Sequence, residues 1–126
     1  MVLVCRRYRC THCGAVLTVV PRGVAPRRHY GHAAIAMAFA LWAIVATPVA
    51  EVRRRVCAWQ IRSDTAARWP TLMRWATAAR AAQGDPPISR LVAAARAAQQ
   101  AIGRAPPTLR HAPREAQAFA GGSAMP

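Results

Sequence analysis

Cys10-Thr-His-Cys13-Gly14 is the stretch whose residue types and spacing suit metal chemistry. Two thiolates separated by two residues can grip one Zn²⁺, and the glycine that follows permits the tight turn that brings both sulfurs round. A tetrahedral site needs two further ligands. Cys5 is an extra thiol close by in the sequence, and His12, His29, His32 and Cys57 are further candidates. The alternative is a turn with free thiols. A redox role for Cys10 and Cys13 lacks the strand–helix–strand surroundings that such chemistry uses.

The second chemical signal is charge. Eighteen arginines, no lysine and four acidic residues give a formal net charge of +14, and a pI near 11.8. Such a field draws the chain toward polyanions, either nucleic acid or an anionic membrane face. The absence of lysine fits a genome rich in G and C, so arginine in place of lysine is no sign of bidentate recognition. The four carboxylates, Glu51, Asp64, Asp85 and Glu115, are scattered, with no pair spaced for acid/base work or a two-metal centre. No Gly-rich phosphate loop and no Ser/His/Asp constellation is present. The chain is therefore expected to be a binding protein and not an enzyme. Its N-terminus lacks the apolar stretch of a secretory signal, so a cytoplasmic setting with reduced or metal-bound cysteines is expected.

The elements that position these groups follow from periodicity. Val2, Val4 and Tyr8 alternate with other residues before the Cys10–Gly14 turn, and 15–20 extend after it, which predicts a β-hairpin. Pro21 to Arg28 reads as a basic linker. From His29 to Ala46 runs the longest apolar segment, with Ile35, Phe39 and Trp42 on one face and Met37, Leu41 and Ile44 on the other. A helix apolar all round is either the centre of a small domain or a membrane span. The uncharged stretch 33–50 is 18 residues long, so a small basic single-span membrane protein is the alternative architecture.

Thr47 and Pro48 then signal a helix start, with Thr47 as the expected cap and Val49, Val52, Val56 and Trp59 as the core stripe. After a break at 60–64, Pro70 opens a second helix carrying Leu72, Trp75, Ala76 and Ala79 at i, i+3, i+4, i+7. Two short helices with apolar inner faces and arginines outside meet the needs of a helix-turn-helix, and equally those of a small bundle with solvated arginines. For double-stranded DNA the expected contacts are Arg68 and Arg74 in the groove and Arg53, Arg54 and Arg55 on the backbone. Beyond a Gly84-Asp85-Pro86-Pro87 break, Ser89 is placed to cap a helix to Ile102, with Leu91, Val92, Ala95 and Ile102 inward and Gly103 as a stop; 104–126 is expected to be disordered.

The succession RRYRCTHCG, PRGVAPRRHYGHAAIAMAFALW, TPVAEVRRRV and RWPTLMRWATAAR, over roughly 6–82, resembles small zinc-ribbon plus helix-turn-helix proteins related to insertion-sequence transposases. Members of that family usually carry an earlier Cys-x-x-Cys that completes the ribbon, so this chain looks N-terminally shortened. The resemblance implies DNA binding, without a nuclease core of its own, as an accessory beside a separate transposase subunit or as a remnant, with a homodimer also open. The expected architecture is mainly α: 1–28 a partial zinc ribbon with linker, 29–82 a helix-turn-helix-like bundle, 83–103 a linker and further helix, and 104–126 a tail.

Overall fold

A computed structural model describes residues 6–19, 30–57, 68–84 and 88–123. Cys5, His29, Trp59, the 21–28 linker and the 60–64 break lie outside them. The chain is mainly helical with a short N-terminal antiparallel hairpin. Strand β1 (Arg6–Arg9) pairs with β2 (Val16–Val19), Tyr8 facing Leu17.

Helix α1 (His32–Phe39) continues into a π-helical turn, Ala40–Ile44, and together they form the centre. Ala36, Ala38, Phe39, Ala40 and Leu41 are buried. The helix ends at Ile44, ahead of the Thr-Pro pair, whose threonine the proline keeps out of the helical region. Ala46 turns into the left-handed region at φ 59°, and the Thr47 N–H returns to the Leu41 carbonyl at 2.8 Å. The 33–50 stretch is thus a helix, a reversal and the start of a second helix. Among the described residues no helix is long and apolar enough to cross a membrane, so the single-span alternative is not favoured.

Helix α2 (Val49–Val56) lays Val52 into the core, with Val49 and Val56 partly covered. Its cap is Pro48, without a side-chain bond, and not Thr47 as the sequence suggested; the helix starts one residue later, which puts Thr47 before the cap position. Helix α3 (Pro70–Ala82) starts at its proline and buries Leu72, Trp75 and Ala76, the stripe read from the sequence. Trp69 and Trp75 meet Tyr30 edge-on, with ring centroids 6.0 and 5.0 Å from it.

Helix α4 (Arg90–Gly103) is capped as expected, the Ser89 Oγ accepting from the Val92 N–H at 3.2 Å. Its inward face differs from expectation. Ala93, Ala94, Ala98 and Ala101 are buried, while Leu91 and Val92 are exposed, because close helix–helix approach selects for small side chains over large ones.

The expected disorder of 104–126 is corrected over 104–123. A 3₁₀ turn (Pro107–Leu109) leads into α5 (Arg114–Ser123), which packs on both α1 and α4 and buries Ala118, Gly121 and Gly122. Buried Gln117 fastens the approach, its Nε2 donating to the Ala112 carbonyl at 2.7 Å and to that of Arg110 at 3.3 Å. The glycines, unfavourable for a helix taken alone, are what allow this approach.

Candidate nucleic-acid interface

Helix α3 begins at a groove of about 820 Å³ whose floor includes Val49, Trp69, Pro70 and Met73. Arg68, Arg74 and Arg90 line its edges, and all three are exposed. Arg68 precedes α3 and Arg74 stands one turn inside it, so one helix start carries both groove arginines expected from the sequence. Arg90 comes from the first residue of α4 and joins them only because α4 packs on α3. Among the described residues no carboxylate lines this groove, and no ion pair to Arg68, Arg74 or Arg90 occurs. Three like charges held round an apolar floor form a ready anion-binding edge.

The Arg53–Arg55 run is used differently. Arg54 grips Glu51 through Nε at 2.7 Å and through its Nη2 as well, a one-turn pair that holds the Glu51 carboxyl below its usual range, the Arg54 hydrogen bond being the main cause. Arg55 bonds Glu115 of α5 at 2.9 Å across 60 residues of sequence. Arg53 is half-buried, and its charge opposes the rise in the Tyr30 pKa. Adjacent in sequence, the three arginines therefore split between two ion pairs and a partly covered site, and none of them lines the groove.

Cys10 and Cys13 are exposed in the hairpin turn. That turn is closed by the Cys10 N–H to the Ala15 carbonyl at 2.8 Å and the Gly14 N–H to the Cys10 carbonyl at 3.0 Å, with Gly14 at φ 73°. Backbone N–H groups of Cys13 and then His12, followed by the Cys13 thiol, lower the Cys10 pKa, which favours the thiolate a metal needs. Two thiolates are half of a zinc donor set. Among the described residues no third His, Cys, Asp or Glu gathers with them. Cys57, a candidate filler, instead lies 2.9 Å from the Tyr30 Oη. His32 sits at the start of α1, its Nδ1 buried without a hydrogen-bond partner among the described residues.

Comparisons with models of protein families, with curated proteins and with solved structures returned no match for this chain. Of the arginines round the groove, Arg90 escaped the sequence reading: Ser89 signalled a helix start there, but nothing local says which neighbour that start will face.

Proposed function

We propose that this protein binds double-stranded DNA, with Arg68, Arg74 and Arg90 neutralising phosphates along the edge of the α3 groove. The observation that carries this reading is the grouping of three exposed guanidiniums, from the start of α3 and the start of α4, round one groove that no carboxylate lines among the described residues, on a chain of net charge +14. Phosphate contact needs only charge and reach, and it supplies most of the affinity of basic proteins for duplex DNA. The four scattered acids favour a binding role over phosphodiester chemistry, in keeping with an accessory or remnant related to insertion-sequence transposases.

Fluorescence anisotropy with a labelled duplex over a range of salt concentrations tests this. Three phosphate contacts correspond to a slope of log affinity against log salt of about −2.7. Binding with a slope near zero, or no binding at low salt, overturns the proposal.

A further inference from the structure

The hairpin has two features that the DNA reading leaves unused. One is the Cys10–Cys13 turn, held by its own backbone bonds with both thiols exposed. The other is an uncovered apolar face. Register places Tyr8 opposite Leu17 and Arg6 opposite Val19, and because alternate strand residues point the same way, these four share one face while Arg7, Arg9 and Val16 take the other. Tyr8, Leu17 and Val19 are 51%, 65% and 49% exposed. A lone two-stranded hairpin is marginal in water and gains stability only when something covers such a face or clamps its end.

Structural zinc takes four ligands, and for thiolates the closed form is a tetrahedral Cys₄ site. Each hairpin offers two, and no third ligand joins them among the described residues. One turn thus offers half of such a site, and one more copy of the same turn supplies the other half. We propose that two copies of this chain pair through their hairpins, Cys10 and Cys13 of each closing one Cys₄ zinc site on a twofold axis, with the Tyr8–Leu17–Val19 faces brought together beside it.

A self-complementary patch of this kind is what a twofold dimer requires. Each thiol that binds gives its proton to the solvent, so four thiolates around Zn²⁺ leave a centre of net charge −2. Arg9, next to Cys10 in sequence, and the other guanidiniums of the two hairpins offset that charge. The metal centre thus opposes the repulsion that keeps two copies of a +14 chain apart. Zinc and dimer form together or not at all, and neither depends on the α3 groove.

The full chain, reduced and stripped with a chelator, is titrated with Zn²⁺ or Co²⁺ and followed by metal analysis and analytical ultracentrifugation. The expected result is about 0.5 metal per chain at saturation, conversion from monomer to dimer on the same titration, and the intense visible bands of tetrahedral tetrathiolate cobalt. Cys10→Ser and Cys13→Ser lose both metal and dimer while keeping the helical circular dichroism, because the hairpin lies outside the helical core. Cys5→Ser keeps both. One metal per chain in a monomer, a metal-independent dimer, absence of binding, or loss of the site in Cys5→Ser would each overturn the proposal, and none of these outcomes alters the DNA salt test.

Discussion

A Cβ placed on Gly121 would lie 1.7 Å from the carbonyl oxygen of Ala101, so α5 meets α4 backbone to backbone. No rotamer change relieves a clash with main chain. Gly121→Ala is therefore expected to cost about 3 kcal/mol or more, at or beyond the upper end of ordinary overpacking, and to detach α5. Gly122→Ala, whose Cβ would come 2.9 Å from Ala33 and Ala36, should cost less. Gly103 at the end of α4 has nothing within 4 Å, and Gly103→Ala should be neutral or stabilise by up to about 1 kcal/mol. Urea unfolding of the three variants checks the order; equal effects at Gly121 and Gly103 would contradict it.

Ala46 stands at φ 59°, where an L-residue with a Cβ is disfavoured by about 1–2 kcal/mol. Glycine relieves that strain and returns about 0.5–1 kcal/mol of it as chain entropy in the unfolded state. Ala46→Gly should raise thermal stability by roughly 0.5 kcal/mol, whereas Ala46→Val, β-branched and in the same conformation, should lower it. Calorimetric midpoints of the two variants, moving in opposite directions, would bear this out.

The Arg55–Glu115 contact links α2 to α5. Glu115 is held below the usual carboxylate range, chiefly by its own backbone N–H; burial opposes this as the next effect, and Arg55 adds to the lowering. A depressed folded-state pKa stabilises the protein above the unfolded value of about 4.3, and that stability is lost as pH falls through the folded value. Glu115→Gln should flatten the acid limb of the stability curve. Because the arginine is about one-third exposed (35%), solvent screening keeps the difference within about 1 kcal/mol. Unfolding midpoints measured from neutral pH down to pH 3 report it.

At the alkaline end, Tyr30 is pushed up to about 12, mainly by burial and then by its bond to Cys57. The folded state holds the phenol proton more tightly than the unfolded chain, whose tyrosine titrates near pH 10, so stability is complete below about pH 10 and declines as pH rises toward 12. Tyr30→Phe should remove that decline. Ultraviolet titration of the phenolate alongside circular dichroism would show ionisation of Tyr30 tracking the loss of structure.

Arginine variants separate the two basic regions. Arg68→Ala, Arg74→Ala and Arg90→Ala should each weaken duplex binding and reduce the salt slope by about 0.9. Arg54→Ala should change the slope little, since its guanidinium is already bonded to Glu51. If Arg54→Ala matched Arg74→Ala, the groove would not be the binding edge.

Much of this fold is legible in residue order. Pro70 with Leu72, Trp75 and Ala76, Ser89 as a cap, and the Cys10–Gly14 turn stand where local rules put them, because caps, proline and short-range periodicity act within a few residues. The inward face of α4 and the whole of α5 were missed for one shared reason. Alanine and glycine carry almost no hydrophobic signal, and their value lies in the distance they permit between two helices, a property of pairs. Gly121 and Gly122 look like breakers until Ala101, Ala33 and Ala36 are seen against them.

The candidate site divides along the same line. Sequence alone determined that the chain is strongly basic, that its acids are scattered, and that Arg68 and Arg74 flank one helix start, since these depend on composition and on contacts within a single turn. Only the tertiary structure decided that Arg90 joins them while Arg55 is taken up by Glu115; the Arg54–Glu51 pair lies within one helical turn. A guanidinium is available to a partner only when no nearer carboxylate claims it, and across 60 residues of chain that is fixed by how the helices pack.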